Sequence, residues 1–87
     1  MTDLSAYELP KILLDVREQN ERETQVKYPD SLHLPLCAAT EDAVGAMLKP
    51  LVGECVGVFC KSGARAAKFI KDWDAVAGEY NITLIGI

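Results

Sequence analysis

The sequence holds one histidine, one tryptophan, three cysteines and no long apolar run. Each shortage excludes something. With His33 standing alone, most multi-histidine metal sites and Ser-His-Asp schemes fall away. A histidine-activated cysteine is excluded too, unless His33 itself faces the thiol. Cys37, Cys55 and Cys60 are odd in number and contain no C-x-x-C pair. They cannot build a full disulfide framework, they argue against a tetrahedral zinc site, and at least one thiol is left free. No apolar stretch approaches the roughly 20 residues of a membrane-spanning helix. Met1 to Leu14 lacks the charged start and apolar run of a secretory signal, which points to a cytoplasmic protein. Positive charge is in deficit: 9 Lys and Arg against 13 Asp and Glu give a net charge of −4. That balance argues against a nucleic-acid partner, because phosphate backbones need a basic surface.

What remains is an ordinary globular composition, 49% apolar and 25% charged over 87 residues. One domain, residues 1–87, accounts for this length. A domain so small buries only about two-thirds of its unfolded surface, so its packing has to be good.

Short apolar runs alternate with helical patterns. Ile12 to Val16, Ser31 to Leu36, Cys55 to Phe59 and Ile82 to Ile87 read as strands. Pro35 suits the end of the second better than its centre. Thr40 caps a helix with Glu41 and Asp42 in its first turn; Val44, Met47, Leu48 and Leu51 follow at helical spacing up to Pro50. Ala66, Ile70, Trp73 and Ala77 share a face of a longer helix, with Gly78 as its stop. Ser5 and Glu8 have capping-box spacing for a short N-terminal helix. Glu18 to Lys27 is almost wholly polar, so it reads as a helix only weakly, and its charges through Glu23 read as a solvated surface. The alternation implies an α/β domain: a central, mostly parallel sheet of four strands flanked by helices.

One segment carries chemistry. Cys60-Lys61-Ser62-Gly63-Ala64-Arg65 lies between the third strand and the longest helix. Ligands of parallel sheets bind beyond the carboxyl ends of strands. A loop there, entering a helix, turns backbone N–H groups into one small space. Those N–H groups, with Lys61 and Arg65, favour a Cys60 thiolate and an anionic substrate. Gly63 lets the loop curl tightly.

This loop resembles the C-x-x-G-x-R active-site loop of rhodanese-like sulfurtransferases. Leu14-Asp15-Val16-Arg17-Glu18 is similar to the family's L-D-V-R-E signature, and Ser31-Leu32-His33-Leu34-Pro35-Leu36 to its G-A-x-N/H-I-P-L strand. The three motifs stand in the family's order across most of the chain. The resemblance implies a rhodanese-like domain in which Cys60 accepts a sulfane sulfur as a persulfide. Residues 61 to 65 would cradle it, Arg65 closing the cradle, with Asp15 and Arg17 as a brace. No metal or organic cofactor is implied. The implied partners are a small anionic sulfur donor, such as thiosulfate or a persulfide, and a thiol or cyanide acceptor. The chain differs from the family at Lys27 to Leu32, where a G-H-I-x-G-A stretch is usual. It also has no counterpart of an initial strand and stops at Ile87, so a domain shortened at both ends is expected.

Two other readings stand beside this one. The first is a rhodanese-like binding or regulatory module with little turnover. The second is a small cysteine phosphatase or arsenate reductase, which loop length disfavours. Cys60 and Arg65 enclose four residues, one fewer than the C-x5-R loop that wraps a phosphate. Of the remaining groups, Cys55 reads as a buried, inert strand residue, and Cys37 as a strand-end thiol with or without a resolving role. His33, Phe69 and Trp73 read as packing residues. Ile82 to Ile87 has no helix after it to cover it, which suggests pairing of two copies through this strand.

Overall fold

The structure, a computed structural model, describes residues 10–25 and 27–87. The helix expected from Ser5 and Glu8 lies outside the described residues. Seven regular elements follow one another: β1 (Ile12–Asp15), α1 (Gln19–Thr24), β2 (Leu32–His33), α2 (Glu41–Leu48), β3 (Cys55–Phe59), α3 (Ala64–Glu79) and β4 (Thr83–Gly86). The strands form one parallel sheet in the order β2-β1-β3-β4. The α/β fold with four central strands, expected from the alternation of runs, is the fold found.

Strand alternation sorts the side chains. Leu14 pairs with Val58, Ile12 with Val56, and Val56 with Leu84. Together with Val16 and Cys60 they face Val44 and Leu48 of α2 and Ala66, Phe69 and Ala77 of α3. That is the core, and Phe69 meets Trp73 at a ring separation of 6.5 Å within it. Phe59 stands on the other face, edge-on to Tyr28 at 4.8 Å. There Leu13, Ile87 and Pro10 close over Gly57 so tightly that a Cβ would come within 2.9 Å of the Leu13 side chain.

The helix ends follow their side chains. The Thr40 hydroxyl accepts the Ala43 N–H at 3.2 Å, and Glu41 and Asp42 fill the first turn of α2. Pro50 sits inside a tighter 3-10 turn, Lys49–Leu51, so Leu51 leaves the α-helical register. Gly78 does not stop α3; the helix runs through it to Glu79. Asn81 takes the left-handed conformation instead, with φ 57°. Ile82 then donates to the Ala77 carbonyl and Asn81 to that of Gly78, a double closure that satisfies the last carbonyls and buries Ile82.

Two further expectations need correction. The second strand is two residues long, Leu32–His33, because Pro35 has no N–H and opens a 3-10 turn over Leu36–Ala38. Leu34 and Leu36 still donate to the Asp15 and Val16 carbonyls on either side of it. The helix only weakly indicated in the polar stretch after Glu18 forms, as α1 over Gln19–Thr24. Cys55 is exposed rather than buried: it opens β3 at the end away from the loop, opposite the exposed Thr83, on the face that α2 and α3 do not cover.

β4 lies at an edge of the sheet. Its Leu84, and Ile82 just before it, are buried in the core, whereas Ile85 is 41% exposed. Among the described residues, no helix is long and apolar enough to cross a membrane.

Candidate functional site

The carboxyl ends of β1, β2 and β3 lie side by side, because all three strands run in parallel. At the end of β3 the chain passes through Cys60 and turns into α3. Gly63 is the residue that precedes the helix, with φ 95° and ψ −18°. Glycine enters that left-handed region without steric cost. The turn brings the Gly63 N–H to 3.0 Å from the Cys60 sulfur and the Ala66 N–H to 3.4 Å. Burial pushes the Cys60 thiol up. The N–H groups of Ala66, Gly63, Arg65 and Ser62 outweigh it and hold the thiol below its ordinary value. Cys60 itself is 1% exposed, enclosed beneath its own loop.

The side chains of the loop are arranged differently from the sequence expectation. Lys61, Ser62 and Ala64 are exposed. The ammonium that reaches the cysteine backbone belongs to Lys27, whose Nζ donates to the Cys60 carbonyl at 3.2 Å. It also lies 5.8 Å from the centre of the Phe59 ring and 6.0 Å from that of Tyr28. Arg65 does not present an empty fork. Its Nη1 and Nη2 donate to the two carboxylate oxygens of Glu21 at 2.6 and 2.8 Å. The bond to Arg65, with the Glu18 N–H adding to it, holds the Glu21 carboxyl down to about 2. Arg65 is stabilised as a cation in return, and it remains within electrostatic reach of the Cys60 sulfur.

Asp15 and Arg17 form a buried pair at the end of β1. Arg17 donates from Nε and Nη2 to Asp15 at 3.0 and 2.9 Å, and Arg22 adds a bond at 3.2 Å. Burial raises the Asp15 carboxyl, and the bonds from Arg17 and Arg22 more than reverse this, leaving it below its ordinary value. Arg17 also donates from Nη1 to the Gln25 carbonyl at 2.7 Å and stands over the Phe59 ring at 5.6 Å. The pair thus ties the segment after α1 to the residue preceding Cys60. His33 lies 2.7 Å from the Arg17 carbonyl through Nε2 and belongs to this scaffold.

Sequence reasoning missed Glu21, Arg22 and Lys27. They stand in a polar run with no period that would pair residue 21 with residue 65. Cys37 is exposed, and the Glu18 carboxylate 3.3 Å from its sulfur raises its thiol above the ordinary value. An open cleft of about 510 Å³ runs beside the loop, from Gly63 and Ala66 along Ile70 to Lys71 and Ile87. Among the described residues, no three His, Cys, Asp or Glu side chains gather where a metal could bind. No protein-family model, no curated protein and no solved structure matches this chain.

Proposed function

We propose that this chain is a small sulfurtransferase that carries sulfane sulfur on Cys60. One observation supports the reading most: a cysteine at the end of a parallel strand, with two backbone N–H groups aimed at its sulfur, one from the loop glycine before the following helix and one from that helix's first turn. The resemblance of the three sequence motifs to the rhodanese-like family points the same way.

The Cys60 thiolate attacks the outer sulfur of thiosulfate or of a persulfide. The S–S bond of the donor breaks, and sulfite or a thiolate leaves with the bonding electrons. Cys60 then holds a persulfide, whose terminal charge the loop N–H groups stabilise as they would an oxyanion. An acceptor thiolate or cyanide attacks that terminal sulfur, and the Cys60 thiolate returns. Neither half needs a redox cofactor, because each exchanges one sulfur–sulfur bond for another or for a carbon–sulfur bond.

A second reading, a binding or regulatory module, draws on two features: Cys60 is 1% exposed, and Arg65 is already paired. Cyanolysis after treatment with thiosulfate or cysteine persulfide separates the two. A sulfurtransferase yields thiocyanate in proportion to enzyme, and Cys60→Ser yields none. A binding module gives no thiocyanate above the Cys60→Ser background.

A further inference from the structure

We propose that Glu21 selects the sulfur donor by charge, admitting persulfides that carry at most one negative charge and turning away the dianion thiosulfate. The inference rests on the sulfurtransferase reading of Cys60 and names the donor class for that site.

A sulfonate group needs several donors around its oxygens, and guanidinium forks are suited to supply them. Here every fork near the loop is engaged. Arg65 is held by both oxygens of Glu21. Arg17 is spent on Asp15 and the Gln25 carbonyl, and Arg22 on Asp15 and Ser31. Lys27 donates to the Cys60 carbonyl. Of the loop's own two cations, Lys61 is exposed and the Arg65 fork is filled, so thiosulfate must displace Glu21 to use that fork or approach the Cys60 thiolate with the Glu21 charge still in place. A persulfide makes no such demand. Its terminal sulfur needs only the loop N–H groups, which already point at the Cys60 sulfur. Glu21 also cannot be silenced by ordinary acid, since its carboxyl is held down to about 2.

Alkylation of Cys60 tests this without any sulfur chemistry. Iodoacetate and iodoacetamide have similar size and differ in charge. In protein with Cys37 and Cys55 replaced by serine, the ratio of the iodoacetate rate to the iodoacetamide rate reports the charge facing Cys60. Glu21→Gln should raise that ratio roughly fivefold, the effect of one charge at close range in partly screened surroundings. Glu21→Asp should return it towards the wild-type value. With sulfur donors, Glu21→Gln should lower KM for thiosulfate far more than for cysteine persulfide, with kcat little altered. A ratio that Glu21→Gln leaves unchanged overturns the proposal. Glu21→Ser provides the same test if circular dichroism shows Glu21→Gln to be unfolded. Should no donor yield thiocyanate from wild type or variant, the sulfurtransferase reading fails, while the alkylation ratio still decides whether Glu21 screens anions.

Discussion

The N–H of Gly63 points at the sulfur of Cys60 across 3.0 Å, and it reaches there because Gly63 adopts φ 95°. Nothing lies within 4 Å of the place a Cβ would take at Gly63. Gly63→Ala therefore meets no clash, and its cost is confined to the backbone, about 1–2 kcal/mol for an L-residue held left-handed. Thermal unfolding should show that loss. If the loop relaxes, the N–H swings off the sulfur and the Cys60 thiol rises towards its ordinary value. A Gly63→Ala protein of wild-type stability would mean the turn is not as strained as its geometry requires.

The pH dependence of Cys60 follows from the same bonds. Its thiol is lowered on folding, so the thiolate is the form the fold favours. The rate of Cys60 alkylation should inflect below the ordinary thiol value of about 8.5. The sign for stability follows. A group depressed by folding contributes fully above its unfolded value, and the contribution is lost as pH falls through the folded value. The stability difference between wild type and Cys60→Ser should accordingly shrink as the solution is acidified through that inflection. An inflection at or above the ordinary value contradicts the role given to the loop N–H groups.

Asp15 offers a stability test away from the sulfur. It is fully buried, and Arg17 beside it is 3% exposed. Asp15→Asn leaves the Arg17 charge buried with half its bonds, and removing one partner of a buried pair costs about 3–5 kcal/mol. Urea unfolding should show it. The Asp15 carboxyl is depressed by folding, so its contribution persists above the ordinary carboxyl value and fades as pH falls through the lower, folded value. Wild type and Asp15→Asn should converge in stability in that acid window. Parallel curves would mean that the pair contributes nothing net.

Much of the fold was legible in residues 12–16, 40–48 and 55–77. There apolar periodicity and burial agree, and Thr40 caps its helix where its position in the sequence indicates. The end of α3 is not legible at Gly78, the usual kind of terminator, because Asn81 enters the left-handed region in its place, with the Gly78 and Ala77 carbonyls accepting from Asn81 and Ile82. The position of Cys60 and the use of Gly63 were legible because a strand, a glycine loop and a helix follow one another directly. Glu21 and Lys27 were not. Their partners, Arg65 and Cys60, lie 44 and 33 residues away, and only the parallel sheet brings them together.

Cys55 carries the sharpest correction, and labelling can check it. Its apolar neighbours suggest burial, but it opens β3 on the uncovered face and is exposed. In the native protein near neutral pH a maleimide should label Cys55 faster than Cys37, whose thiol the Glu18 carboxylate holds protonated. Glu18→Gln should speed Cys37 and leave Cys55 unaffected. Protection of Cys55 in native protein would contradict the exposed position.

Whether Cys60 carries sulfur is read most directly by mass spectrometry of the intact protein. After brief exposure to cysteine persulfide and removal of the donor, the wild-type chain should gain about 32 Da, one sulfur atom, localised to Cys60 by peptide mapping. Cyanide should remove that mass and release an equal amount of thiocyanate, and Cys60→Ser should gain nothing at that position. A wild-type chain that stays at its unmodified mass, or that carries the added sulfur on Cys37 or Cys55 instead, contradicts the account.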